Sequence, residues 1–351
     1  MKKLRYICAF ILAVLFSVLC YAEEEHEIFT SGDWKYFIND GGTVSIFRCN
    51  SEEESAVIPS EIDEKAVTEI TKNVFYMCNN LTSIEIPDSV ITIWDWAFSG
   101  CANLTSIEIP DSVTTIGDNA FSECPNLTSI EIPNSVTTIG DWAFMDCVNL
   151  TSIEIPNSVT ELGLNPFTGC SSLKTITVSP DHEKYAVINT MLVDKTDKSL
   201  ICCPVGLSSS YVIPEGIQKI GDAAFRRCAN LTSIEIPNSV TTIGERAFSY
   251  CENLTSIEIP NSVTTIGKRA LSYCNNLTSI EIPDSVTTIG DNAFSECLHL
   301  TSIEIPNSVT TIGDWAFLGC ENLTVIVGRD CYAMQYAIED NIPYTYSHAN
   351  D

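Results

Sequence analysis

The sequence predicts an α/β-type repeat solenoid: short parallel strands stacked rung on rung, alternating with single helical or 3-10 turns. Three observations predict it. The segment LTSIEIP begins at Leu81 and returns at Leu104, Leu127, Leu150, Leu231, Leu254, Leu277 and Leu300, in two blocks whose internal step is 23 residues. The full unit, close to N-L-T-S-I-E-I-P-[DN]-S-V-T-T-I-G-x-x-A-F-x-x-C-x, carries apolar residues that one unit alone is too small to bury. Hydrophobic residues make up 45% of the 351, enough for a core and too many for a disordered chain.

The first 22 residues read as an address. Lys2, Lys3 and Arg5 precede the apolar run from Tyr6 to Leu19, and Cys20-Tyr21-Ala22 supplies small residues at the −3 and −1 positions of a cut after Ala22. A basic start, a short apolar run and a small-x-small site describe a secretory signal peptide, with Glu23 as the expected mature N-terminus. A lipidated Cys20 is the lesser reading, because the preceding residue is Leu19 rather than a small one. The run is short for a membrane span, and no second long apolar run follows. A protein with no membrane span after signal removal is expected.

Residues 23–56 contain YFINDGGTVSIFRC, two strand-like runs around a Gly-Gly turn, and are expected to cap the array. The solenoid is expected over 57–327. Its first repeat, from Ile58-Pro59 to Cys78, has about five extra residues. Cys170 and Cys228 are 58 residues apart, two units plus 12, so an insertion sits between the blocks without losing register. Around 185–204, MLVDKTDKSLICCP reads as a hairpin inserted into the array. Residues 328–351 include RDCYAMQYAIEDNIPYTY, a helix and last strand expected to seal the far end. From Leu81 to Leu323 there is room for about 11 or 12 rungs at the parallel-strand spacing.

Within a unit, L-x-x-I-x-I puts one leucine and two isoleucines on the same side of a short strand, since side chains alternate. Pro87 and its equivalents end that strand, because proline donates no ladder hydrogen bond. V-x-x-I-G adds two apolar anchors and a glycine turn. Asp-x-Ala-Phe-x-x-Cys then reads as one helical or 3-10 turn with Asp near its start and Ala, Phe and Cys inward. The expectation is that the LTSIEI segments form one parallel sheet.

This unit resembles the BspA-like leucine-rich repeats, a family of surface proteins. The opening FINDGGTVSI, the insertion at 171–213 and the ending YAIEDNIPY are also similar to that family. The resemblance covers about residues 44–346. It implies a right-handed leucine-rich repeat with one inner parallel β-sheet, secretion or cell-surface display, and adhesion to host or neighbouring cells by binding proteins. It implies no catalytic residues and no cofactor. The residue between the two isoleucines is often Thr or another small polar residue in such repeats, whereas here it is Glu.

That glutamate recurs as Glu85, Glu108, Glu131 and Glu154, and again as Glu235, Glu258, Glu281 and Glu304. Strand alternation places it opposite the core. The plain reading is a solvated face multiplied by repeat duplication. The sharper reading is a binding face for basic segments of host matrix or cell-surface proteins, or for Ca²⁺, whose hard-ligand preference carboxylates satisfy. One Glu per rung makes no full coordination shell, so the basic partner is preferred. Trp96, Trp142 and Trp315 share one repeat position that holds Asn119, Arg246, Arg269 and Asn292 elsewhere, which suggests exposure and a contact role.

Charge and composition exclude other classes. Lys plus Arg is 18 against 46 for Asp plus Glu, a formal net charge of −28, so nucleic acid is a poor partner. Only His26, His182, His299 and His348 are present, and no Gly-rich phosphate loop, HExxH or GxSxG pattern occurs, so no enzyme and no metal site is expected. The cysteines at the repeat end, from Cys78 to Cys320, have neighbours one rung away with parallel Cα–Cβ vectors, a poor disulfide geometry. They read as buried free thiols filling space. Cys49, Cys202 and Cys203 lie outside that ladder and are the better disulfide candidates. Asn-Leu-Thr sequons such as Asn103 and Asn126 read first as turn asparagines. A structural coat or spacer without a discrete ligand is the alternative to a binding protein.

Overall fold

Residues 26–50, 53–204, 206, 208–329 and 331–347 are described by a computed structural model. The chain forms two compact units that meet in sequence at Phe167 and Thr168. The signal segment 1–22 lies outside the described residues.

The first unit opens with an antiparallel meander, Ile28–Ser31, Trp34–Ile38 and Val44–Cys49. Asn39 shapes its second turn: its side-chain oxygen accepts from the backbone N–H of Gly41 and Thr43 at 3.1 Å each, and Gly42 takes φ +75°. Val44–Cys49 then pairs in parallel with Lys65–Ile70. The extra residues of the first repeat form a tight hairpin, Glu61–Ile62 against Lys65–Ile70, across Asp63 and Glu64. Both turn residues have positive φ (50° and 61°), as a two-residue hairpin turn with the right-handed strand twist requires. From Lys65–Ile70 a parallel ladder runs through Thr92–Ile93, Thr115–Ile116, Thr138–Ile139 and Glu161–Leu162.

The second unit begins its main sheet the same way. Tyr185–Ile188, Met191–Asp194 and Ser199–Cys202 form an antiparallel meander, so the segment around 185–204 holds two successive strand reversals rather than a single hairpin. Its last strand starts a parallel ladder through Lys219–Ile220, Thr242–Ile243, Thr265–Ile266, Thr288–Ile289 and Thr311–Ile312. The helix Tyr332–Glu339 buries Ala333 and Ala337, and the strand Tyr344–Tyr346 pairs in parallel with Thr324–Val327.

The continuous ladders therefore run through the Thr-Ile pairs of V-T-T-I-G, not through LTSIEI as the sequence suggested. The LTSIEI segments pair in shorter sheets, among them Ser83–Glu85 with Ser55–Val57, Ser233–Glu235 with Ser210–Val212, and Ser279–Glu281 with Ser302–Ile305, which pairs on to Thr324–Val327. Elsewhere they keep their register through isolated bonds, such as Thr105 N–H to Thr82 O at 3.3 Å. Among the Glu-to-Glu neighbours, only Glu281 and Glu304 lie within a paired ladder, whereas Glu85 and Glu235 pair across from Val57 and Val212. Like charges directly opposite each other weaken strand pairing.

The ladder position has a second requirement. A Cβ on Gly140 would sit 2.5 Å from the backbone nitrogen of Asp118 in the rung before, so the rungs touch backbone to backbone there. The apolar set of each unit is inward as its periodicity demands: Leu104, Ile107, Ile109, Val113, Ile116, Ala120, Phe121 and Cys124 are all buried. The phenylalanines stack. Phe75, Phe98, Phe121, Phe144 and Phe167 form a column with ring centroids 5.0, 5.3, 5.6 and 5.8 Å apart. In the second unit Phe225 stacks on Phe248 at 5.1 Å and Phe294 on Phe317 at 5.4 Å, with Leu271 replacing the ring between the two pairs.

The Asp-x-Ala-Phe-x-x-Cys segments are irregular turns, not the helical or 3-10 turns expected. Two residues per turn adopt left-handed φ, for example Asn119 (53°) and Glu123 (56°), or Arg246 (53°) and Tyr250 (63°). Alternate N–H groups consequently reach the next rung: Trp96, Phe98 and Gly100 donate to the carbonyls of Asp118, Ala120 and Ser122, each at 2.8 Å. The intervening groups bond three residues back, as Ser99 N–H does to Trp96 O. The aspartate also departs from its expected role as a cap of its own turn. The Asp118 carboxylate accepts the N–H of Asp141, one rung on, at 2.7 Å. The competing principle is ladder formation between rungs, which satisfies more backbone than a single helical turn would.

Candidate functional site

The eight glutamates are all exposed. Each is flanked by isoleucines that point the other way, Ile107 and Ile109 around Glu108 being 7% and 5% accessible. In the first unit, Glu85, Glu108 and Glu131 line one open depression of about 1280 Å³ with Ser83, Ser106 and Ser129. Asp88 and Asp111 add carboxylates along it, and Pro110 and Pro133, which end the strand segments, form part of its wall. Glu154 is the exposed next member of the row but does not line this depression. In the second unit Glu235, Glu258, Glu281 and Glu304 form the equivalent row, with Glu281 and Glu304 in direct register and Ser347 donating to Glu304 at 2.9 Å.

A row of this kind offers hydrogen-bond acceptors at the strand repeat, beside serine hydroxyls. It does not offer a coordination cage. Among the described residues no three His, Cys, Asp or Glu side chains converge closely enough to hold a metal ion. The residues therefore give no geometric support to Ca²⁺.

The three tryptophans belong to the turns, away from this row in the repeat, and none lines the depression. They share left-handed φ (53°, 53° and 57°). Trp96 is 39% and Trp315 64% exposed, while Trp142 is half-buried. The shared sequence position thus does not give a uniformly exposed aromatic row. Asn119 at the same position is buried and Arg246 and Arg269 are half-buried, so tolerance of polar residues overstated the exposure.

The thiols occupy defined places. Cys101, Cys124 and Cys147 are buried and donate to the carbonyls of Phe75, Phe98 and Phe121 at 3.1–3.2 Å. Each thiol thus ties its rung to the one before. Burial pushes the Cys202 and Cys228 thiols well above the ordinary range. Cys202 and Cys203 are free thiols, and the Cys203 and Cys228 sulfurs stand 4.0 Å apart, so the disulfides considered for these two cysteines outside the ladder are not formed. The sequon asparagines bond across rungs, Asn103 Nδ2 donating to Asn79 O at 2.7 Å and Asn126 Nδ2 to Ala102 O at 2.9 Å. Sequence reasoning missed one feature, a cluster of arginines and tyrosines on the turns of the second unit. Its signal was present, because five of the chain's 18 basic residues fall between Arg226 and Arg269.

Parallel strands stacked at a 23-residue step, with a buried leucine, isoleucine and phenylalanine in most rungs, define a leucine-rich repeat solenoid. Residues 68–188 and 206–324 match the family described as the BspA type leucine rich repeat region, in six copies, and the chain belongs to that family. Solved structures agree. A leucine rich cell surface protein from Faecalibacterium prausnitzii A2-165 is 30% identical, with 90% of this chain and 98% of that chain covered and a TM-score of 0.66. A leucine-rich repeat protein from Eubacterium ventriosum is 25% identical over 85% of this chain and 82% of that one, with a TM-score of 0.63. The pneumococcal vaccine antigen PcpA, 22% identical over 93% of this chain and 98% of that chain, shares the fold at a TM-score of 0.68. No curated protein matches the chain. Among the described residues no helix is long and apolar enough to cross a membrane.

Proposed function

We propose that this protein is secreted or displayed at the cell surface, and that it binds other proteins through the exposed glutamate rows, as an adhesion module without catalytic chemistry. The observation that carries the reading is the open depression of about 1280 Å³ in which Glu85, Glu108 and Glu131 repeat one rung apart on a backbone held by the core. Rows of carboxylates held at a fixed pitch favour a partner with spaced cations, because many weak charge pairs add when the geometry is prepaid. A basic, extended segment of a matrix or cell-surface protein has that chemistry. The cell-surface relative from F. prausnitzii supports the location, as does the signal-like sequence at 1–22. Trp96 and Trp315 are proposed as additional contacts on the turns, where exposed aromatic rings give large contact area at low entropy cost.

The test is a binding panel. The full chain, immobilised, is offered lysine- or arginine-rich matrix proteins, acidic matrix proteins of similar size, and whole cells. Retention of the basic proteins, decreasing as salt is raised from 0.05 to 0.5 M, supports the proposal. Equal retention of acidic and basic proteins, or retention that is indifferent to salt, rejects it.

A further inference from the structure

The turns of the second unit carry a surface opposite in character to the glutamate rows. Arg246 and Arg269 occupy consecutive rungs at one turn position, and Tyr250 and Tyr273 occupy the same two rungs four residues later. Both pairs line a single depression of about 330 Å³, within the range of small-ligand sites. Its floor is Ser249, Ser272 and Ser295, which are buried; Ser249 and Ser272 bond each other at 2.8 Å. Short side chains there are what open the groove. At the same turn position the rungs on either side carry Arg226 and Leu318, and these larger residues also line the depression. Three rungs give it a length of about 10 Å between the outer serines.

The walls differ in chemistry. The Tyr250 and Tyr273 rings stack at 4.4 Å with planes 4° apart, making a rigid aromatic block. The guanidinium carbons of Arg226 and Arg227 stand 5.9 and 6.0 Å from the Tyr250 ring. On the opposite wall Arg246 pairs with Glu245, while Arg269 has no ion-pair partner among the described residues. Lys268, beside it, is 3.5 Å from Asp291. Glu296 follows Tyr273 on the aromatic wall, so the negative end of the groove is the Leu318 end and the positive end is that of the arginines.

We propose that this groove binds an acidic saccharide, with its carboxylate or sulfate on Arg246 and Arg269 and the sugar against the edges of the stacked tyrosines. Charge selects an anion, in a chain whose surface is otherwise overwhelmingly acidic. The tyrosine faces are closed on each other, so what they add for a sugar is ring edges and hydroxyls, which match the C–H and O–H groups of a pyranose and which a free inorganic ion does not need. An acidic peptide is the poorer fit, because the backbone lining the groove is already committed. Tyr250 N–H donates to Ser272 O at 2.9 Å, Tyr273 N–H to Ser295 O at 2.8 Å, and Ser272 N–H to Arg269 O at 3.2 Å. No strand edge is offered for main-chain pairing, so recognition there runs through side chains alone. The groove is separate from the glutamate rows, and its fate is independent of theirs.

The full chain is titrated calorimetrically with three tetrasaccharides of equal length, one of sulfated uronate, one of unsulfated uronate and one neutral, and with a tetraglutamate peptide. Saturable binding of either acidic saccharide, with the neutral sugar and the peptide weaker by at least about tenfold, is expected. The two acidic arms tell carboxylate from sulfate. Arg269→Gln should weaken binding about tenfold, the factor for losing one hydrogen bond to a charged group, and Arg246→Gln with Arg269→Gln should abolish it. Ser272→Leu should fill the floor and also abolish it; the arginine variants, half-exposed at the surface, decide the matter if the leucine variant fails to fold. Lys72→Gln, which removes an exposed cation from the other unit, should leave binding unchanged. Absence of binding by both acidic saccharides, equal binding of the neutral sugar or the peptide, or unchanged binding by the double arginine variant overturns the proposal.

Discussion

Phe121 sits in the middle of the ring column of the first unit and is fully buried. It stacks on Phe98 at 5.3 Å and on Phe144 at 5.6 Å, with planes 2° and 4° apart. Phe121→Ala removes a buried phenyl group and leaves a cavity between two rings that are held by their own rungs, so collapse is limited. A buried Phe→Ala change costs about 3–5 kcal/mol. Each lost stack adds up to about 1 kcal/mol beyond the area term, which places the alanine variant at the upper end of that range. Phe121→Leu keeps most of the volume, and Leu271 shows that the position accepts leucine between Phe248 and Phe294. Its cost should be about 1–2 kcal/mol, chiefly the two stacks. Urea unfolding followed by fluorescence reads both, because Trp94, Trp96 and Trp142 lie in the same unit. With a slope of about 2.5 kcal/mol/M, the alanine variant should lower the midpoint by about 1.5 M or more and the leucine variant by about 0.5 M. An alanine cost under about 1.5 kcal/mol, or equal costs for the two variants, would refute the view that a stacked ring column ties the rungs together.

Further outcomes follow from other contacts. Gly140→Ala should destabilise by about 3 kcal/mol or more, since its Cβ meets backbone of the preceding rung at 2.5 Å; a midpoint shift near zero in thermal unfolding contradicts that close approach. The buried ladder thiols Cys101, Cys124, Cys251 and Cys274 should resist iodoacetamide in the native protein and react fully in 6 M guanidinium without reductant, as mass mapping would show. Burial raises the Asp118 carboxyl above its ordinary value, outweighing the N–H of Asp141, with Asp141 and Asp95 nearby adding to the rise. A raised folded-state pKa means that the neutral form favours folding, so this group's contribution is fully present below the unfolded value and is lost as pH rises through the folded one. Asp118→Asn, which keeps the acceptor oxygen, should therefore stabilise at pH 7 and have no such effect near pH 3; a variant less stable than wild type at pH 7 would reverse the sign.

The repeat was legible because each rung must bury the same residues. Leu104, Ile107, Val113, Ile116, Ala120, Phe121 and Cys124 could be assigned inward from a 23-residue period alone, and they are. What pattern reading misplaced was the sheet. LTSIEI has the better strand alternation, but its glutamates face one another rung to rung, while the Thr-Ile pairs bring no like charges together and form the continuous ladders. The turns were misread for a related reason. Ala-Phe-x-x-Cys fits one helical turn locally, but left-handed φ at positions such as Asn119 and Glu123 turns alternate N–H groups toward the neighbouring rung. That preference belongs to the stack and has no signature within one unit. The glutamate rows could be read from alternation. The Arg246–Tyr250 and Arg269–Tyr273 groove could not, because its shape depends on Ser249, Ser272 and Ser295 lying low between the two walls.

If the glutamate rows hold a basic protein partner, the affinity of one basic ligand must fall with salt and with the loss of the carboxylates. The probe is an extended peptide of alternating lysine and serine, measured against the full chain and against a variant carrying Glu85→Gln, Glu108→Gln, Glu131→Gln and Glu154→Gln. The substitutions keep shape and remove four charges from one row, and relief of neighbour repulsion should leave the variant at least as stable as wild type. Two carboxylates about 5 Å apart repel by roughly 0.8 kcal/mol in water before screening. Wild-type affinity should fall steeply between about 0.05 and 0.3 M salt. The variant should bind at least about tenfold more weakly at low salt, with a shallower slope. Unchanged affinity and an unchanged slope in a folded variant would contradict it, and the rows would then be a solvated face that the repeat merely multiplies.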